Sequence, residues 1–293
     1  MKRTITLLYI AILSTVLTGR ISASYPGEVR WHNEASDTTK INSILIDAYN
    51  HGDKSPNELM IYIGAKFEGT PYAPGTLEGS PEMLTVNIDE MDCTTFVETV
   101  AAMVLTVKER RNSWQDFLYN LEQIRYRQGR ADGYASRLHY ISDWIVDNTH
   151  RGNMRDITDR LPGIKYQIKT LDYMSHHRDA YPAMKDDAIY EKIKSCEVGY
   201  RSHRFPYIRS SALMSKKSPS WIKEGDVIAF TTKTEGLDIS HIGIVIFKDG
   251  VPHLLHASSK QGKVIIDPMP LSEYLRKNNN LTGARFIRIG EQR

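Results

Sequence analysis

The chain has 293 residues, 38 Lys and Arg against 35 Asp and Glu, and a formal net charge of +3. That charge is dispersed, without the clustered basic surface that nucleic-acid binding requires. The length is enough for one large domain or two small ones with a sizeable core. No internal repeat, low-complexity tract or long charge run interrupts it.

Residues 1–23 read as a secretory signal peptide. Lys2 and Arg3 give a positive start, residues 5–17 are mainly apolar, and Ile21-Ser22-Ala23 ends the segment on small residues. A permanent membrane anchor needs roughly 20 consecutive apolar residues, and this run is shorter and broken by Thr6, Ser14 and Thr15. Cleavage near Ala23 removes Lys2, Arg3 and Arg20 and no acidic residue, so the formal charge falls from +3 to 0. The expectation is an exported, periplasmic protein with no stable membrane insertion and a single domain over 24–293.

Residues 39–50 show an apolar stripe at helical spacing (Ile41, Ile44, Leu45, Ala48, Tyr49) that ends at His51-Gly52-Asp53. A second helix is expected over 57–66. Residues 69–91 are rich in Gly, Pro and Thr, which favours loop with a short strand at Leu84-Thr85-Val86. From Cys93 the pattern is strongly helical (Phe96, Val97, Val100, Met103, Val104, Val107), and it repeats over 113–128. Residues 137–215 are mixed and polar. Beyond 221 come short β-rich runs, Val227-Ile228-Ala229-Phe230, Ile242-Gly243-Ile244-Val245-Ile246, Leu254-Leu255, Val264-Ile265-Ile266 and Phe286-Ile287-Arg288-Ile289, with a hairpin signal at Asp249-Gly250. Helices first and an antiparallel meander last predict an α+β fold with the helices packed on one face of the sheet.

Two cysteines are present, Cys93 and Cys196. A disulfide is one reading for an exported protein. The position of Cys93 gives another, with Cys196 a bystander. Cys93 stands at the predicted first turn of a helix, where free backbone N–H groups and the helix dipole favour negative charge. A thiol so placed is expected to have a lowered pKa and to act as a nucleophile, with the same N–H groups holding an oxyanion. The alternative is a small apolar residue that starts a core helix.

A nucleophilic thiol needs a base. Of ten histidines, His32, His51 and His150 lie in polar surroundings, and His203 and His253 carry no signal. The His176-His177 pair has no carboxylate or thiol at a convincing ligand spacing, so no metal site is expected. His241 and His256 differ because both lie in predicted strands joined by the Asp249-Gly250 hairpin. Alternation puts His241 and Gly243 on the face opposite Ile242 and Ile244, with room beside the glycine for another segment such as a helix N-terminus. His256, on the adjoining strand, is placed to fix the tautomer of His241.

Asp92-Cys93-Thr94-Thr95-Phe96-Val97 resembles the nucleophile motif of the NlpC/p60 cell-wall cysteine peptidases. Glu224-Gly225-Asp226-Val227, Ser240-His241-Ile242-Gly243-Ile244 and Leu255-His256-Ala257-Ser258 resemble three further blocks of that family in the same order. The resemblance implies a papain-like core with Cys93 as nucleophile, His241 as base and His256 as the orienting third member. Gly69-Thr70-Pro71-Tyr72 is similar to the family's Pro-Tyr element and places Tyr72 near the oxyanion or substrate, with Asp92 beside the nucleophile also a substrate-binding candidate. The usual Gly-Gly after Pro-Tyr is replaced by Ala73-Pro74-Gly75, and the segment between helix and sheet is long. It is expected to be a mostly helical insertion over about 112–220. Ser136-Arg137-Leu138-His139-Tyr140-Ile141-Ser142-Asp143-Trp144 and the closing segment from Tyr274 to Phe286 look like the larger N-acetylmuramoyl-L-alanine amidase-like proteins of Bacteroidetes.

That branch implies hydrolysis of the amide between (1,6-anhydro-)N-acetylmuramic acid and L-alanine in peptidoglycan fragments (muropeptides), with His139 and Tyr140 walling the substrate cleft and no cofactor. The competing expectations are an endopeptidase cutting between D-glutamate and the diamino acid, a non-catalytic glycan-binding relative, and a lipid acyltransferase.

Overall fold

The computed structural model describes residue 25 and residues 27–214 and 219–290; the expected signal peptide lies outside them. Strand β1 (Val29–Trp31) pairs in parallel with β2 (Leu84–Val86). Between them run α1 (Glu34–Tyr49) and α2 (Pro56–Gly64). After β2 come α3 (Cys93–Lys108), α4 (Trp114–Arg125) and α5 (Ile141–Arg151). The segment that resisted assignment holds β3 (Met154–Asp156), β4 (Lys165–Ile168), α6 (Tyr173–His176), α7 (Asp187–Gly199), β5 (Arg204–Arg209) and α8 (Ser210–Leu213). The chain closes with β6 (Val227–Thr232), β7 (Ile239–Lys248), β8 (Val251–Ser258), β9 (Lys263–Ile266), α9 (Leu271–Lys277) and β10 (Leu281–Ile289).

The main sheet runs β4-β5-β10-β6-β7-β8-β9, with β3 also paired to β10. All its pairings are antiparallel. The α+β architecture expected from the pattern is therefore present. The two-residue turn between β7 and β8 has positive φ at both Asp249 and Gly250, and Lys248 pairs with Val251 across it. That conformation suits the twist of the flanking strands and favours Asp-Gly.

The expectation of helices on one face is corrected. Helices α1 to α5 and the strand residues Val227, Ala229, Ile242, Ile244 and Leu255 share one core. On the other face Ile228, Phe230, Val245, Leu254 and Phe286 pack with Leu213 of α8 and Leu271 and Leu275 of α9. The cause is legible in β6, where four successive apolar residues from Val227 to Phe230 are all fully buried, the mark of a strand covered on both sides.

The segment 112–220 is interleaved with the main body. Phe117, Leu121 and Trp144 lie in the first core, β3 and β5 extend the sheet, and Tyr134, Tyr140, Met174, Met184, Ile193 and Phe205 form a small core of their own. Asp238, just before β7, accepts the Ser142 backbone N–H at 2.6 Å. It supplies the start of α5 with the cap that Tyr140 does not provide. No helix among the described residues is long and apolar enough to cross a membrane.

Helix α3 is apolar nearly all round and buried from Thr95 to Val107, as a central helix must be. The one carboxylate in that stretch, Glu98, meets Arg125 at 2.6 Å with both side chains almost fully buried. Arg125 also donates to the Thr85 carbonyl at 2.6 Å. Removing one partner of a buried pair strands the other charge. Arg125→Met is expected to cost about 3–5 kcal/mol in urea unfolding. The double variant with Glu98→Met is expected to recover most of that loss.

Candidate active site

Cys93 is the first residue of α3, and Asp92 is its N-cap. Asp92 Oδ1 accepts from the backbone N–H groups of Thr94 at 3.0 Å and Thr95 at 2.8 Å. The Thr95 hydroxyl accepts from the Asp92 backbone N–H at 2.9 Å, closing a capping box. Two first-turn N–H groups expected to be free are thus occupied by the cap. The Cys93 N–H faces its own sulfur and favours the thiolate.

The sulfur has a second backbone donor, the N–H of Ile242. Strand pairing explains why that group is available. Val245 exchanges both of its backbone bonds with the β6 side, to Asp226 and Gly225, so alternation turns Ile242 and Ile244 toward β8. The β7–β8 ladder ends at Ile244↔Leu255, whereas β8 stays paired to β9 as far as Ser258. Regular pairing of the two strands stops beyond Leu255, and Cys93 takes up the Ile242 N–H left over there.

A lowered thiol pKa was expected, and the structure corrects this. Burial, and then the neighbouring Asp92 carboxylate, push Cys93 up to about 12, against the pull of the Ile242 N–H, Thr94 and its own N–H. The helix start favours negative charge, but its cap is itself a negative charge beside the sulfur.

His241 and His256 lie on the α9 face of the sheet. A bulge between Phe230 and Thr231 of β6 and His241 and Ile239 of β7 leaves Ser240 as the extra residue. Bulges of this kind re-aim side chains, and both Ile239 and Ile242 reach the α3 face while His241 stacks on Phe230 at 6.1 Å on the other. His241 Nε2 lies 2.6 Å from His256 Nδ1. The space beside Gly243, expected to take a helix N-terminus, is taken by His256: a Cβ added to Gly243 would sit 3.0 Å from the His256 Cβ. Burial, and then the charge of His256, hold His241 down to about 3. His256 is also lowered by burial, against the opposing pull of Asp267. The resting pair is thus a neutral thiol and a neutral imidazole.

Two residues that the sequence reading did not single out complete the group. Asp267, just past β9, is buried, with Oδ2 3.4 Å from His256 Nε2. Tyr274 of α9 packs at 6.3 Å from His241 and 5.9 Å from His256. Its phenol is pushed up to about 12 by burial, Asp267 and Cys93. A cavity of about 210 Å³ opens here, lined by His241, His256, Asp267, Tyr274, Lys260 and Lys277. The available signals were an aspartate directly after an apolar strand, and a tyrosine between Leu271 and Leu275 on a helix following the sheet.

Tyr72 reaches the same centre. Its N–H donates to the Gly262 carbonyl at 2.8 Å and the next N–H, of Ala73, to Met91 at 3.2 Å. This stitches the segment between the β8–β9 turn and the approach to Cys93. Burial, Cys93 and Asp92 raise the Tyr72 pKa. His139 and Tyr140 are held elsewhere. His139 Nε2 bonds the Tyr134 carbonyl at 2.9 Å. The Tyr140 hydroxyl donates to Glu197 at 2.8 Å and accepts from Met174 N–H at 2.9 Å. Among the described residues no hydrogen bond or ring contact joins either residue to Cys93, His241 or His256. Cys93 and Cys196 are both free, and Cys196 lies by Arg127 and Asp143. His176 is turned to Asp172 and His177 stacks on Tyr173; among the described residues no group of three or more His, Cys, Asp or Glu is placed to hold a metal.

An antiparallel sheet that opens at one end, with a helix-start thiol in the gap and two hydrogen-bonded imidazoles beside it, defines an α+β protein with a thiol–imidazole site. Residues 62–283 match the AmiA-like family, described as N-acetylmuramoyl-L-alanine amidase-like, and the chain belongs to that family. The crystal structure of an N-acetylmuramoyl-L-alanine amidase from Bacteroides uniformis is similar, with 39% identity and a TM-score of 0.76 over 80% of this chain and 99% of that one. A Bacteroides fragilis protein described as a candidate xylanase shares 42% identity over 77% of this chain and 99% of its own, with a TM-score of 0.73. A Legionella pneumophila protein is 25% identical over 89% and 98%, with a TM-score of 0.66. No curated protein matches the chain.

A thiol with so high a pKa exposes little thiolate at neutral pH, and thiolate is the reactive form. Alkylation of Cys93 by iodoacetamide, followed by peptide mass spectrometry, is expected to accelerate about tenfold per pH unit through pH 9. A rate that levels off near pH 7 would instead mark a preformed thiolate.

Proposed function

We propose that the chain is an exported, periplasmic cysteine amidase with a papain-like core of the NlpC/p60 type. In this reading it hydrolyses the amide between N-acetylmuramic acid, in its 1,6-anhydro form, and the L-alanine of muropeptides. The observation that carries the mechanism is the 2.6 Å contact of His241 with His256 beside the Ile242 N–H that meets the Cys93 sulfur. Membership of an amidase-like family and the likeness to a Bacteroides uniformis N-acetylmuramoyl-L-alanine amidase support the bond assigned. A thiol with imidazoles supports acyl transfer, whereas glycoside cleavage characteristically uses a carboxylate pair. The helix that bears Cys93 precedes the strands that bear the histidines, the order of the unpermuted peptidases. Export rests on the charged, apolar and small-residue sequence of residues 1–23.

With the resting pair neutral, proton transfer accompanies attack. His241 takes the Cys93 proton as the sulfur adds to the lactyl carbonyl carbon, and the carbonyl electrons move onto oxygen. The Cys93 N–H and Tyr72 are assigned to that oxyanion, since the Asp92 carboxylate already occupies the next two N–H groups. His241 returns the proton to the departing amine of L-alanine, and water then hydrolyses the thioester. Asp92 acts through the cap that fixes the sulfur. His139 and Tyr140, bonded to Tyr134 and to Glu197 and Met174, are given no part in the chemical step, and a cleft-wall role for them rests on the family resemblance alone.

Defined anhydro-muropeptides digested and weighed by mass spectrometry are expected to release intact tri- or tetrapeptide and free sugar, with EDTA leaving the rate unchanged. Cys93→Ser is expected to lower turnover by roughly 10³-fold or more. Sugar still carrying L-Ala-D-Glu would indicate an endopeptidase. Unchanged turnover in Cys93→Ser, or loss with EDTA that zinc restores, would end the thiol mechanism.

A further inference from the structure

The His241–His256 contact leaves open which nitrogen carries the shared proton, and the answer decides whether His241 can act as a base. His241 Nε2 and His256 Nδ1, 2.6 Å apart, must be one donor and one acceptor. The far side of His256 settles the choice. Its Nε2 is buried and makes no hydrogen bond among the described residues, and the Asp267 carboxylate stands next to it, with Oδ2 at 3.4 Å. That distance is long for a hydrogen bond, as such contacts often are before substrate binds. A carboxylate only accepts, so engagement of Asp267 requires the proton on His256 Nε2 and leaves His256 Nδ1 bare. His241 Nε2 must then donate, which leaves His241 Nδ1 with the lone pair.

Asp267 is held for this task from several directions. Its Oδ1 accepts the Met269 N–H at 2.8 Å. Its backbone N–H donates to the Leu254 carbonyl at 2.7 Å. Its carbonyl accepts from His253 Nδ1 at 2.9 Å, so the otherwise uninformative His253 has a place. His253, Leu254 and His256 belong to one strand, β8, which fixes the carboxylate and its target to the same rigid element.

We propose that Asp267 is a positioning residue which, through His256, sets the tautomer of His241 and so makes His241 Nδ1 the base for Cys93. This rests on the thiol–imidazole reading above. In the step, the S–H proton passes to His241 Nδ1 as the C–S bond forms and the carbonyl electron pair moves to oxygen. The resulting imidazolium keeps its Nε2–H on His256 Nδ1, and the Asp267 carboxylate stabilises the developing positive charge at one remove.

The chain of donors gives a test that a structural role would not pass. In Asp267→Asn the Met269 N–H keeps the amide oxygen at the Oδ1 position, so the NH2 group faces His256 Nε2. His256 Nε2 must then accept, its Nδ1 must donate, and the proton of His241 is driven onto the nitrogen needed as base. Asp267→Asn is therefore expected to lower kcat at least as much as Asp267→Ala, by about 10–100-fold as for other outer-shell partners, with KM within about twofold. Imidazole 15N NMR at neutral pH, made on the resting protein with no substrate, is expected to show wild-type His256 protonated at Nε2 and His241 at Nε2, and both protons moved to Nδ1 in Asp267→Asn. An Asn variant close to wild type in kcat, or His256 protonated at Nδ1 in the wild type, overturns the proposal. Because the NMR measurement needs no turnover, a failure to cleave muropeptides would count against the proposed substrate and leave this assignment to stand or fall on the spectra.

Discussion

The pairing of β7 and β8 stops short of their ends, and the site depends on that. Were the ladder to continue past Ile244↔Leu255, the Ile242 N–H would bond β8 and be lost to the sulfur. The bulge at Ser240 and the side-chain-free Gly243 serve the same end, turning the His241 ring to the α9 face and letting His256 approach it. Local departures from regular pairing are costly in isolation. Here the apolar burial of Val227 to Phe230 in β6, and of Ala284, Phe286 and Ile287 in β10, frames them on both faces of the sheet.

The thiol and the imidazoles occupy opposite sides of this opening. Cys93 comes from a helix packed on one face and the histidines project from the other, with Ile242, the neighbour of His241, turning its N–H to the sulfur. That geometry explains the electrostatics. Both side chains are partly buried between the two layers, so burial raises the thiol and lowers the imidazole, and both rest uncharged. The Asp92 cap fixes the sulfur and contributes to the same effect. A neutral thiol also resists oxidation better than a thiolate, the form that oxidises.

Much of this was legible in the sequence. The helical stripes of α1 to α4, the Asp249-Gly250 hairpin and the apolar runs of β6 to β10 follow from periodicity alone. Helix α1 starts five residues ahead of its apolar stripe, because residues 34–38 are polar except for Ala35 and are set by the Asn33 cap. Strands β3 to β5 were not legible, being three to six residues long and stabilised by the edge of β10 and by each other. Alternation placed His241 and Gly243 on the correct face, but it could not say that a second histidine rather than a helix would fill the space. Asp267 and Tyr274 carry no site signal in the sequence because their place at the histidines depends on where β9 and α9 end up in space, and no spacing rule connects them to Cys93.

The central claim is that the Cys93 sulfur takes the acyl group of muramic acid. It is tested most directly by mixing the protein with an anhydro-muropeptide, quenching in acid within the first turnover, and measuring intact and peptide mass. The account predicts a thioester on Cys93 bearing the lactyl-linked sugar without amino acids. An adduct that carries L-Ala-D-Glu, an adduct on another residue, or turnover in which Cys93 never gains mass would contradict it.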